Sequence, residues 1–77
     1  MISSPALSEV IKKKGFAIGS WISSASPQVA ELMSYSGFDF LTIDAEHSSV
    51  DTYQTQLLVQ AIKAGNPRCN PLVRLPS

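Results

Sequence analysis

The chain has 77 residues, six Lys or Arg against six Asp or Glu, and a formal charge of zero, so it holds at most one small domain with a marginal core and no electrostatic footprint for nucleic acid or an anionic membrane. No segment reaches the roughly 20 apolar residues of a membrane span, and Met1-Ile2-Ser3-Ser4-Pro5 lacks the basic and apolar runs of a secretory leader. Cys69 is the only cysteine, which excludes an intrachain disulfide and fits a soluble protein of the reducing cytoplasm.

The first periodic segment predicts a helix over 4–14, with Ala6, Leu7, Val10 and Ile11 on one stripe. Ser4 is its candidate cap, Pro5 suits the first turn, and Lys12-Lys13-Lys14 before Gly15 complement the negative end of the helix dipole and mark the stop. Residues 16–22 read as a short buried strand, followed by the polar loop Ser23-Ser24-Ala25. Ser26-Pro27 opens a helix over 27–36 with Val29, Ala30, Leu32 and Met33 on its apolar face, and Gly37 ends it. A second strand is predicted over 38–44, then a loop to Val50. Asp51 begins a third helix over 51–64, carrying Tyr53, Leu57, Leu58, Ala61 and Ile62 at helical spacing with Gly65 as its stop. After the loop Asn66-Pro67-Arg68-Cys69-Asn70, residues 71–75 read as a third strand.

This alternation implies an α/β fold with parallel strands joined by crossovers. Crossovers are right-handed, so strands lying in chain order put both crossover helices on one face of the sheet. The other face is then bare, and parallel sheets are normally buried on both sides. Either further strands roll the sheet into a barrel, or copies of the chain cover the open face.

The run Ile43-Asp44-Ala45-Glu46-His47 gathers two carboxylates and the only histidine at the carboxyl end of the second strand. Ligands bind at that edge in α/β proteins, and titratable groups there cost free energy unless paired. Parallel strands bring Trp21, this cluster and Arg74 to the same edge. Alternation sets Asp44 and Glu46 on one face of the second strand, with Leu41 and Ile43 toward the helices. In the third strand, Val73 and Leu75 would face the helices, and Leu72 and Arg74 the other side. An arginine there keeps its proton and needs an anion: Asp44, Glu46 or a bound carboxylate. Plainer readings stand beside these. His47 is then a hydrogen-bonded loop histidine, Arg74 a structural bridge to Asp44, Trp21 core packing, and Glu46 a cap on backbone amides. Cys69 has no partner at metal-ligand spacing, and no dinucleotide fingerprint is present.

Gly19-Ser20-Trp21, Pro27, Ala30-Glu31, Gly37-Phe38-Asp39-Phe40, Ile43-Asp44-Ala45-Glu46-His47 and Val73-Arg74-Leu75-Pro76 together resemble the amino-terminal part of the HpcH/HpaI aldolase/citrate lyase family. These are class II, metal-dependent pyruvate aldolases of the 4-hydroxy-2-oxo acid type. The resemblance implies the leading helix and first three parallel strands (βαβαβ) of an incomplete TIM (β/α)8 barrel, a fold of ~250 residues, with 1–77 a partial barrel domain. It implies reversible cleavage of a 4-hydroxy-2-oxo acid to pyruvate and an aldehyde. His47 would be the base, Arg74 the group that holds the keto oxygen and stabilises the enolate, and Trp21 part of the substrate wall. Asp44 and Glu46 would orient them. The family's divalent metal (Mg2+, Mn2+ or Co2+) is held by a glutamate and an aspartate from later strands, so this chain supplies no metal ligand. The expected partners are a small 2-oxo acid and either the remainder of the barrel or further copies of the chain. The alternative is an inactive remnant acting as a self-associating or complementing α/β fragment. A coenzyme A ester substrate of the citrate lyase type fits the Asp-x-Glu-His pattern less well.

Overall fold

The structure, a computed structural model, describes residues 5–45 and 50–74. Its elements are α1 (Pro5–Lys14), β1 (Gly19–Ile22), α2 (Pro27–Ser34), β2 (Phe40–Asp44), α3 (Thr52–Gly65) and β3 (Asn70–Arg74). The strands form one parallel sheet in the order β1-β2-β3, the α/β arrangement that the alternation predicts.

Local chemistry explains where the helices begin and end. Ser26 caps α2 through its side chain, which accepts from the Val29 N–H at 3.4 Å. Asp51 and Gln54 form a reciprocal capping box at α3: the Asp51 carboxylate accepts from Gln54 N–H at 2.8 Å, and the Gln54 side chain accepts from Asp51 N–H at 3.0 Å. Gly15 and Gly37 have φ of 82° and 91°, a region costly for side chains with a Cβ. They stop α1 and the turn after α2.

Register places side chains in rows across the sheet. Ile22, Ile43 and Val73 form one row toward the helices. Ile22, Leu41 and Ile43 pack there with Ala30 of α2 and Leu58 and Ile62 of α3, each at most 1% exposed. Burying each large aliphatic side chain stabilises by about 1.5–3 kcal/mol, so this layer carries most of the fold. The molecule measures 35 × 27 × 15 Å, the thin dimension expected of one sheet backed by one helix layer.

Several expected boundaries move. β1 begins at Gly19 rather than residue 16, because the ladder with β2 starts at Gly19–Phe40 and Phe16 and Ile18 stay 56% exposed. β2 begins at Phe40 rather than 38: the Asp39 N–H donates to Ile18 O at 2.7 Å, and Asp39 Oδ2 accepts from Ile18 N–H at 3.0 Å. This carboxylate closure replaces regular pairing. α2 ends at Ser34 rather than 36, where Tyr35 and Ser36 donate to Leu32 O and Met33 O, the tighter i→i+3 pattern of a closing turn. α3 runs over Thr52–Gly65 and β3 over Asn70–Arg74. β3 starts one residue early because Asn70 N–H reaches Asp39 O at 2.9 Å. Ser4, proposed as the α1 cap, and Leu75, proposed as the end of the third strand, lie outside the described residues.

Ile11, expected on the buried stripe of α1, is 46% exposed, whereas Leu7 is buried. The sheet face away from α2 and α3 is also less bare than expected. Thr42 and Leu72 are 1% and 4% exposed there, while Trp21, in the same row, is 52% exposed. Thr42 lies between Trp21 and Leu72 in this row. The open part of this face lies toward β1.

Candidate active site at the carboxyl edge of the sheet

The site is built on the last residues of three parallel strands. Asp44 and Arg74 are register partners at the ends of β2 and β3, two positions beyond the Trp21–Thr42–Leu72 row and therefore on its face. Paired parallel strands lie ~4.8 Å apart. The Ala45 N–H donates to Arg74 O at 3.1 Å, so the ladder holds the backbone one residue past Asp44. Both charged side chains are half-buried, where a charge interacts more strongly than in water.

Trp21 comes to the same place from β1. Its ring centroid lies 5.8 Å from Arg74 Cζ, within cation–π reach. Three of the five predicted site residues, Trp21, Asp44 and Arg74, thus share one face at one edge. Glu46 and His47 lie outside the described residues.

Among the described residues, no group of three or more His, Cys, Asp or Glu gathers to hold a metal ion. Asp44 is the one described carboxylate at the strand ends, and a single carboxylate does not make a divalent site. The metal implied by the resemblance does not fit these residues alone.

The opposite edge is structural. Asp39 Oδ1 pairs with Lys14 Nζ at 3.2 Å, and its backbone carbonyl accepts from both Asn70 N–H (2.9 Å) and Asn70 Nδ2 (3.1 Å). The Ile18 N–H bond, more than the Lys14 charge, holds the Asp39 carboxyl below the usual carboxylate range against the opposing effect of burial. Sequence reading placed Asp39 inside a strand and missed this lacing role. The available signal was a lone carboxylate between Phe38 and Phe40. Cys69 is fully buried, and burial pushes its thiol up, which suits a packed thiol rather than a nucleophile. No helix among the described residues is long and apolar enough to cross a membrane.

No family model matches the chain. Individual relatives do. It is 33% identical over 66 residues to a 2-dehydro-3,6-dideoxy-6-sulfogluconate aldolase of Pseudomonas putida, covering 86% of this chain and 25% of that protein. It is 36% identical over 67 residues to a hydroxypyruvate/pyruvate aldolase of Paraburkholderia phytofirmans, covering 87% of this chain and 26% of the relative. The crystal structure of an HpcH/HpaI aldolase/citrate lyase family protein from Burkholderia cenocepacia superposes with a TM-score of 0.83 at 28% identity, over 96% of this chain and 29% of that one. A citrate synthase, SbnG, superposes with a TM-score of 0.73 at 26% identity, over 88% of this chain and 27% of that one. The chain thus spans about a quarter of the length of the curated relatives it matches. Sequence and βαβαβ architecture agree: the chain belongs to the HpcH/HpaI aldolase/citrate lyase family.

Proposed function

We propose that the chain is the amino-terminal part of a carbon–carbon lyase that cleaves a 4-hydroxy-2-oxo acid reversibly to pyruvate and an aldehyde. The observation that carries this reading is the pairing of Arg74 with Asp44 at the carboxyl edge of β2 and β3, with Trp21 beside it. The aldolase names of the sequence relatives give the reaction class. Fold alone does not, since a citrate synthase shares it.

In this reading His47 accepts the proton of the substrate's 4-hydroxyl. The bond between C3 and C4 breaks, C4 leaves as the aldehyde carbonyl, and the electron pair passes through C3 to the 2-oxo oxygen. Arg74 meets the enolate oxygen that develops there, and its planar fork of donors suits a 2-oxo acid better than a lysine would. Protonation of C3 gives pyruvate. Asp44 and Glu46 orient Arg74 and His47, and Trp21 borders the substrate. The divalent metal of the family would need carboxylates from outside the described residues, so no step is assigned to it. The whole protein would work in the cytoplasm, with the remainder of the barrel or with further copies of this chain.

One observation favours the second reading, an inactive self-associating or complementing fragment. β1 is an edge strand, and Trp21 on it and Phe16 and Ile18 just before it are each more than half exposed. A coupled assay for pyruvate released from a 4-hydroxy-2-oxo acid, with magnesium or manganese added, separates the two. Turnover that survives both His47→Ala and Arg74→Ala would refute the assigned roles.

A further inference from the structure

The geometry points to Trp21 as a positioning residue that holds the Arg74 guanidinium in place, a role that rests on reading Arg74 as the group meeting the substrate's 2-oxo oxygen. Trp21 and Arg74 sit on the two outer strands of the sheet, on the same face, separated by β2. The residue between them in the Trp21 row is Thr42, small and 1% exposed. A larger side chain at that point would stand between the indole and the arginine. With threonine there, Arg74 Cζ lies 5.8 Å from the ring centroid.

Core packing does not explain this tryptophan. At 52% exposure it leaves about half of a large apolar ring in water, and it stands on the face opposite the main cluster of Ile22, Leu41, Ile43, Leu58 and Ile62. A ring within cation–π reach of a guanidinium has a different value. Arginine carries a long, rotamer-rich side chain whose ordering costs entropy each time it binds. The cation–π contact removes part of that freedom before a planar partner arrives. The ligand class that such an arginine takes is a carboxylate or 2-oxo acid lying edge-on in the guanidinium plane.

The chain contains one tryptophan and two arginines, Arg68 and Arg74, so both partners can be observed directly. In the 15N-arginine-labelled chain, Arg74 Hε is expected to resonate upfield of exposed Arg68 Hε through the indole ring current. It moves toward the Arg68 position in Trp21→Leu and stays largely shifted in Trp21→Phe, with far-UV circular dichroism confirming that each variant is folded. In pyruvate titrations of the whole protein that carries this sequence, with magnesium added, Trp21→Leu weakens binding by about 2–5-fold, the range of one exposed cation–π contact, and this penalty disappears in an Arg74→Met background. An Arg74 Hε that does not respond to Trp21→Leu overturns the proposal. So does a pyruvate penalty of the same size with and without the guanidinium, which would mean that Trp21 does not act through Arg74. If the arginine shift behaves as expected but Arg74→Met leaves pyruvate binding to the whole, magnesium-supplied protein unchanged, the 2-oxo acid reading fails and the positioning role stands.

Discussion

The backbone carbonyl of Asp39 accepts two hydrogen bonds from Asn70, one from its N–H at 2.9 Å and one from its side-chain Nδ2 at 3.1 Å. Since Asp39 also binds Ile18 on its other side, one residue laces the amino ends of all three strands. Everything at the far, carboxyl edge, including the Asp44–Arg74 pair, takes its register from this start.

Asn70 is 1% exposed, and its Nδ2 also donates to Arg68 O at 3.3 Å. Asn70→Leu keeps the volume and the backbone N–H bond to Asp39 O but removes the Nδ2 donor to Asp39 O and Arg68 O. The expected cost is about 0.5–1.5 kcal/mol, read as a lower urea midpoint with an unchanged slope.

Asp39 sets an acid limit. Its folded-state carboxyl titrates below the unfolded value of 3.8, mainly through the Ile18 N–H bond and secondly through Lys14. A depressed carboxylate contributes stability that is present above the unfolded value and is lost as pH falls through the folded one. Asp39→Asn should therefore lose less stability than the wild type between neutral pH and pH ~2. Lys14→Met should flatten the profile less than Asp39→Asn, because the lysine is the smaller of the two lowering causes. Urea melts across this range check both; parallel profiles would contradict the account.

Gly65 closes the contact between α2 and α3. A Cβ there would collide with Ser34 Oγ and lie 3.0 Å from Glu31 O. Ser34 is fully buried and donates to that same carbonyl at 2.6 Å, so it has little room to yield. Gly65→Ala should destabilise by about 1–3 kcal/mol despite the better helix propensity of alanine. Ser34→Ala should recover part of that loss in the double variant, a non-additivity that thermal unfolding detects.

Much of this was legible in the sequence, for identifiable reasons. Asp51, Ser26 before Pro27, and Gly15 and Gly37 act within a few residues of themselves, so capping and positive-φ rules reach them; sequence reading missed the Gln54 half of the capping box. Parallel order follows from alternation and handedness, and the convergence of Trp21, Asp44 and Arg74 follows from parallel order. Contacts between residues distant in the chain were not legible. Asp39 reads as one polar residue in an apolar run until Ile18 and Asn70 are seen beside it. Gly65 reads as a helix stop, yet its φ is not positive, and its role is close approach to Ser34. Gly19 reads as a strand residue, yet the Phe40 ring occupies the space where its side chain would be. Period-two patterning assigns Leu72 and Thr42 a face and says nothing of how far that face is covered.

If the Asp44–Arg74 edge is the enolate-stabilising half of an aldol-cleaving site, as proposed, the decisive comparison is pyruvate release from a 4-hydroxy-2-oxo acid by the protein carrying this sequence and by its Arg74→Lys variant at matched stability. Arg74→Lys keeps the charge and removes the planar fork, so turnover should fall by about 10²–10³-fold, as for loss of a donor to a developing oxyanion. Turnover within a few-fold of the wild type would contradict the account.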